Sequence, residues 1–382
     1  MNNQHLFSSA ANYFFLNYAK TKLLFKLGKL KRFSNFFHFN YMSKKRVSLK
    51  DVAKSVGVSP TLVSIVLNGK AKEFRISEKM AEKVVATANK MNYSPNVAAR
   101  NLRSGKSHLI GVIVTDISNP FYSTISRIIE DRANEYNYTV LFSSSDEDLD
   151  STKNLVEVLL NQGVDGLILV PCDGSEILVR NLHDDNVPLV LLDRHFPDLN
   201  VSYSCLNNFK STELITQHLI EQGYERISIL AYETKMVHIN DRIAGYKNTM
   251  RNAGLKDNIV VERIDIANAN SEIEGALESV MKRKTEAVIF TTNMLAVYGI
   301  YYFNKMKIKI PGDLAIAGFN RNDVFNLYYS PVTYIKQPVE MIANEAVNML
   351  VKQIEDSEYT EQTMSVAEPE LIVQKSSLKS FN

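Results

Sequence analysis

The stretch Ser48–Gly69 reads S-L-K-D-V-A-K-S-V-G-V-S-P-T-L-V-S-I-V-L-N-G, and it decides how the amino-terminal part of this 382-residue chain folds. Ser48 with Asp51 three residues on is a capping-box-like helix start. Leu49, Val52, Ala53 and Val56 then fall on one helical face, and Gly57 ends the helix. Val58 fills the turn, Ser59 is an N-cap, Pro60 takes the first helical position, where its missing N–H costs nothing, and Asn68-Gly69 closes the second helix. Two short helices with a tight turn result. On the second, Val63, Val66 and Leu67 pack inward and leave Pro60, Thr61, Ser64, Ile65 and Asn68 on a face that fits a major groove. A third helix, capped by Ser77, carries Ala81, Val84, Val85, Ala88 and Met91 at helical spacing and closes a small three-helix core.

Charge is partitioned along the chain more tellingly than the net +2 suggests. Residues 1–41 carry six Lys/Arg and no acids, residues 42–107 fourteen against four, and residues 108–382 twenty-four against thirty-eight. The balances are +6, +10 and −14. A segment this basic can neutralise several phosphates, while the acidic remainder keeps off a polyanion. The two cysteines, Cys172 and Cys205, sit in unrelated contexts and fit a reducing cytoplasm. No apolar run is long enough to span a bilayer. Residues 1–41 place their positive charges after the apolar stretch, unlike an export signal. They read as an unstructured extension upstream of a true start at Met42; a transit-like or membrane-surface amphipathic segment is the alternative.

From Leu109 onward, short apolar runs alternate with helical patterns. L-I-G-V-I-V, T-V-L-F-S-S-S, G-L-I-L-V-P and V-P-L-V-L-L-D-R form one series; R-I-S-I-L-A, A-V-I-F-T-T and L-A-I-A-G-F form a second. The alternation predicts parallel strands with crossover helices in two doubly wound lobes. Ligands in such sheets sit beyond the carboxyl ends of strands. That rule selects Asp116, Asn119, Phe121, Tyr122, Asp193, Arg194, Asn293 and Asn320. Aromatic faces, guanidinium and carboxylate or amide groups suit a polar, ring-shaped ligand. Bland readings stand beside this one: Asp193-Arg194 as a surface ion pair, Phe121 and Tyr122 as core aromatics, Arg242 as a helix cap or partner of a lobe acid.

Between the two parts, Ser94-Pro95-Asn96-Val97-Ala98-Ala99-Arg100-Asn101-Leu102-Arg103 has helix-start chemistry but only about two turns, too few to be stable alone. With it, Ser48–Ser107 resembles the DNA-binding headpiece and hinge of the LacI/GalR family. N-P-F-Y, V-D-G-L-I-L, L-L-D-R, D-R-x-x-G-Y, the Asn of T-T-N-M, G-F-N and Q-P resemble stations of that family's effector domain, so the likeness covers nearly all of residues 45–375. It implies an α/β chain: a three-helix helix-turn-helix headpiece (42–93), a hinge helix and linker (94–107), and a two-lobed, doubly wound, periplasmic-binding-protein-like effector and dimerisation domain (108–375), before a tail (376–382). The lobes would be about 108–205 with 338–362, and about 206–337 with 363–375. By the resemblance, Ser48, Leu49, Ser59, Pro60, Thr61, Ser64, Ile65 and Asn68 meet DNA. Asn96 lies near the backbone, Ala99 lies where two hinges touch, and Leu102 is the minor-groove wedge, whose unstacking cost the extra contacts repay. Phe121, Tyr122, Asp193, Arg194, Arg242, Asn293, Asn320 and Gln337 line the cleft.

The chain departs from the family pattern at four positions. Ile65 replaces a frequent Arg and offers only apolar contact, for instance to a thymine methyl; Leu62 replaces a common Thr. Asn320 stands where an acid usually follows G-F, and Met294 where an acid follows the cleft Asn. The loop G-K-A-K-E-F-R-I-S-E is longer than usual and puts Lys70, Lys72 and Arg75 near phosphates. The expectation is a cytoplasmic, homodimeric DNA-binding transcription regulator, a repressor by family habit, on a pseudo-palindromic operator, controlled by a sugar or sugar derivative between the lobes. The alternatives are a purine-type corepressor as the ligand, and a sugar-binding receptor without DNA function. No P-loop, G-x-S-x-G, metal-ligand spacing or activated nucleophile is present, so no catalytic residue, metal, cofactor or membrane partner is expected.

Overall fold

The computed structural model describes residues 47–93, 105–320, 323–356 and 361–379. The expected extension 1–41, the start at Met42 and the hinge Ser94–Arg103, with Asn96, Ala99 and Leu102, lie outside the described residues. The chain divides into two units, residues 1–97 and 98–382.

In the first unit α1 (Leu49–Val56) opens on a true capping box: the Ser48 hydroxyl accepts from the Asp51 N–H at 3.3 Å, and the Asp51 carboxylate accepts from the Ser48 N–H at 2.8 Å. Gly57 ends it at φ 82°, the left-handed conformation that costs glycine little. α2 (Pro60–Leu67) starts at Ser59, whose hydroxyl accepts from the Leu62 N–H at 3.2 Å. With α3 (Glu78–Lys90) these helices bury Val52, Ala53, Val56, Val63, Val66, Val84 and Ala88 together. Two expectations need correction. Val85 is 42% exposed, because Val84 and Ala88, four residues apart, already face the core and the next residue points about 100° away. Ser77 occupies the N-cap of α3 but makes no side-chain capping bond.

The second unit holds two six-stranded sheets. The first lobe runs β1 (Leu109–Val114), α4 (Pro120–Glu135), β2 (Thr139–Ser144), α5 (Leu149–Asn161), β3 (Gly166–Leu169), α6 (Glu176–Asp184), β4 (Leu189–Leu192) and β5 (Tyr203–Leu206). The chain crosses to α7 (Asn208–Glu221), β6 (Ile227–Tyr232), α8 (Val237–Asn252), β7 (Val260–Ile264), α9 (Ala269–Lys282), β8 (Ala287–Phe290), α10 (Asn293–Met306), β9 (Ala315–Phe319), α11 (Asp323–Leu327) and β10 (Thr333–Lys336). It returns as α12 (Val339–Glu355), which packs on β3, β4, β5 and α4 of the first lobe, and ends with β11 (Met364–Ala367) and β12 (Glu370–Ile372).

The sheet orders are β11-β5-β4-β3-β1-β2 and β12-β10-β9-β8-β6-β7, so the two lobes repeat one topology. All pairings are parallel except β10 with β12. The last crossing falls between β11 and β12, not near residue 362 as expected, because Met364–Ala367 adds to β5 in parallel. Close approach of α7 and α8 requires Gly245: a Cβ there would stand 2.2 Å from the Phe209 carbonyl oxygen. No helix among the described residues is long and apolar enough to cross a membrane.

Candidate functional site

On α2, Pro60, Thr61, Ser64, Ile65 and Asn68 share the face opposite buried Val63 and Val66. Thr61 and Asn68 are exposed and Ser64 and Ile65 half-buried. Asn68 is anchored, its amide donating to the Ser64 carbonyl at 2.8 Å. Leu49, Leu62 and Leu67 pack against the small core, whereas Lys70, Lys72 and Arg75 are exposed on the loop after α2.

In the second unit a cavity of about 310 Å³ lies at the carboxyl ends of the strands of both lobes. The eight residues expected to line the cleft all do so. The equivalent fourth strands place two of them alike: Asp193 follows β4 at φ 65° and Asn320 follows β9 at φ 63°. Each N–H bonds the neighbouring strand at 2.9 Å, to Ser204 and Ile335 respectively. Left-handed backbone at a non-glycine residue is strained, and the matching ladder bonds hold both residues at the cavity wall.

Phe121 and Tyr122, in the first turn of α4, are buried and meet edge to face with centroids 5.0 Å apart. They belong to the core and line the cavity at once. The Tyr122 hydroxyl donates to Asp193 Oδ2 at 3.0 Å. Asp193 and Arg194 are both buried, so theirs is no surface ion pair. Arg194 donates to both carboxylate oxygens of Glu147, Nη1 at 2.7 Å and Nη2 at 2.6 Å, and its Nε lies 3.8 Å from Asp193. Burial works against the Arg194 charge, but Tyr122, Glu147 and Asp193 more than offset it and hold the guanidinium well above its usual range. Burial pushes the Asp193 carboxyl up, against the pull of Arg194 and Arg242.

The second lobe supplies Arg242 from α8. Its Nε donates to Asn208 Oδ1 at 2.8 Å, Nη1 donates to the Thr291 carbonyl, and the guanidinium lies 4.0 Å over the Phe319 ring. Burial pulls Arg242 down to about 10. His238, one turn earlier on the same face, is held well below the usual imidazole range by burial and by the nearby positive charge of Arg194 and Arg242. Asn293 opens α10 and bridges the lobes: its Nδ2 donates at 3.0 Å to Oδ1 of Asn119, the N-cap of α4. A second bridge runs from the Thr234 hydroxyl to Asp173 at 2.7 Å.

Four buried polar atoms of the wall, Arg194 Nε, His238 Nδ1, Asn320 Oδ1 and Gln337 Oε1, have no hydrogen-bond partner among the described residues. Unpaired buried polar atoms are costly, and clustered at one cavity they mark where a polar ligand would supply the missing bonds. Sequence reasoning missed Glu147, His238, Tyr232 and Tyr298, which also line the cavity. Glu147 follows β2, so the strand-end rule could have found it; His238 lies four residues before Arg242 on one helical face.

Comparisons with known proteins match both units. Residues 48–96 match the model of bacterial regulatory proteins of the lacI family, and residues 216–377 that of the periplasmic binding protein-like domain. The transcriptional regulator RegA of Clostridium saccharobutylicum is 29% identical over 335 residues, 87% of this chain and 99% of that protein. The ribose operon repressor of Halalkalibacterium halodurans is 29% identical over 308 residues, 81% of this chain and 90% of the repressor. A crystal structure of the Lac repressor dimer bound to operator and an anti-inducer shares the fold, with TM-score 0.77 and 24% identity over 88% of this chain and 100% of that one. With its headpiece, its two repeated lobes and the cavity between them, the chain joins a DNA-binding domain of the bacterial lacI type to a periplasmic binding protein-like domain, the build of the helix-turn-helix transcription regulators it is similar to.

Proposed function

We propose that the chain reads an operator through the exposed face of α2, flanked by Ser48, Ser59 and the basic loop. A sugar or sugar derivative in the cavity then sets its DNA affinity. The observation that carries this reading is the convergence, on one cavity between the lobes, of an aromatic pair, two guanidiniums and four buried polar atoms without partners. Aromatic faces cover the C–H side of a sugar ring, and Arg, Asp and amide groups pair with its hydroxyls. The ligand holds the lobes at one angle, and that angle sets whether the two hinge segments of a homodimer can fold on a pseudo-palindromic operator, with Leu102 as wedge. Two headpieces on one palindrome require dimerisation through the second unit. The site of action is the cytoplasm, in line with two unpaired buried cysteines.

A thermal-shift screen of monosaccharides, sugar phosphates and nucleobases, repeated with Arg194→Ala, tests the ligand class. Stabilisation by a monosaccharide that the variant loses supports the reading, and stabilisation by a nucleobase alone replaces the sugar with a purine-type corepressor. Ligand binding without any DNA binding at low salt would make the chain a receptor and end the proposal.

A further inference from the structure

Neither guanidinium of the cavity presents a free fork to a ligand. Both terminal nitrogens of Arg194 are taken by the Glu147 carboxylate in a bidentate pair, the arrangement by which Arg otherwise binds phosphate or carboxylate. Arg242 spends Nε on Asn208 and Nη1 on the Thr291 carbonyl. Asp116, Asp146 and Asp193 add three more carboxylates to the lining against these two positive groups. Glu147 is held where it is: Asp146 and Glu147 are both left-handed, at φ 55° and 58°, with the Asp146 N–H bonded to the Thr115 carbonyl at 2.7 Å before the turn and Asp148 capping α5 after it. Two successive non-glycine residues in that conformation persist only where their surroundings fix them, and the ion pair to buried Arg194 does so.

We propose that Glu147 is a specificity-determining residue that closes this cavity to anions, so that the effector is an uncharged molecule and its phosphorylated or carboxylate counterpart is refused. An anion entering the cavity would meet an excess of carboxylates in a partly dry site and would have to displace Glu147 before it could reach an Arg fork. A neutral polyol needs no such exchange, because it carries no charge for these carboxylates to repel and its hydroxyls can both donate to and accept from the polar groups of the lining. The inference rests on the cavity's being the effector site.

The test is calorimetric titration of the full chain with inorganic phosphate, and with glucose and glucose 6-phosphate as a matched pair. The wild type should not bind phosphate at millimolar concentration and should prefer whichever probe lacks the phosphate. Glu147→Gln, which keeps the shape and one acceptor but frees the guanidinium charge, should bind phosphate at least about tenfold more tightly than the wild type. Glu147→Gln combined with Arg194→Gln should lose that gain, and Glu147→Asp, still an anion, should show none. A folded Glu147→Gln chain with no gain overturns the proposal. So does a wild type that binds phosphate or glucose 6-phosphate as tightly as glucose, and that result needs no variant to fold. The phosphate readout requires only the cavity, so it fails independently of the sugar reading, which is refuted instead by a wild type that no neutral probe stabilises.

Discussion

Replacing Asn119 by Ser isolates the hydrogen bond that ties the two lobes together across the cavity. Asn119 Oδ1 accepts from the Phe121 N–H at 3.1 Å, capping α4, and from Asn293 Nδ2 at 3.0 Å, bridging to α10. Ser caps a helix about as well as Asn, so Asn119→Ser keeps the first bond, while its shorter side chain gives up the second. A neutral hydrogen bond contributes about 1 kcal/mol net, so the ratio of closed to open lobes should fall about fivefold. Asn293 is 2% exposed, and an Nδ2 left dry in the closed form would cost about 1–3 kcal/mol in the same direction. The Thr234–Asp173 bridge remains, so the lobes should loosen without separating fully. Asn119→Asp retains both acceptor roles and should behave like the wild type. Fluorescent donor and acceptor can be placed at Ile177→Cys on α6 and Tyr301→Cys on α10, which are 71% and 72% exposed, because the native thiols Cys172 and Cys205 are buried. Unchanged transfer efficiency in Asn119→Ser, or equal opening in Asn119→Asp, would show that this bond does not hold the lobes closed.

Further outcomes follow from packing, titration and charge. Gly299→Ala puts a Cβ 2.3 Å from the ring of fully buried Phe290 and should destabilise the chain by about 1–3 kcal/mol, whereas Gly275→Ala, with nothing within 4 Å in α9, should stabilise it by up to about 1 kcal/mol; denaturant melts that give both the same sign would contradict this. The depressed pKa of His238 means the unfolded chain takes up a proton that the folded one refuses. Stability should therefore be level in pH above about 6.5 and fall on acidification below it, by up to about 1.4 kcal/mol per pH unit, and His238→Gln should flatten that limb; an identical acid limb in the variant would refute it. Replacing exposed Lys70, Lys72 and Arg75 by Ala should weaken DNA binding across sequences and reduce the slope of log affinity against log salt by up to about 3, and an unchanged slope would free that loop of phosphate contact.

The headpiece was legible because its information is local. A capping box, Pro60 after Ser59 and two left-handed glycines each act within four residues. Val84 and Val85 show the limit, since both suit an apolar helical pattern and only the packing of α3 turns Val84 into the core while leaving Val85 exposed. In the large unit strands inside continuous apolar runs were readable even at four residues, as β3, β4 and β8 are, whereas β7 (V-V-E-R-I) and β11 (M-S-V-A) interleave polar residues and β11 is mostly exposed. That is why the last crossing was placed too early. The strand-end rule found Phe121, Tyr122, Asp193, Arg194, Asn293 and Asn320 because topology sends residues past parallel strands to the cavity, whereas Arg242, inside α8, and Gln337 came only from the family resemblance. The pairing of Glu147 with Arg194 spans forty-seven residues and depends on two left-handed backbones that S-S-D-E-D does not announce.

The measurement closest to the central claim is the affinity of the full chain for its selected operator, read by fluorescence anisotropy with and without the ligand found to stabilise the cavity. Ligand binding should change operator affinity by about 5–150-fold, the usual range of such coupling, and Arg194→Ala should abolish that change while the chain still binds DNA. A chain that enriches no sequence from a random pool at low salt, or one whose operator affinity is the same with the cavity saturated, would contradict the account.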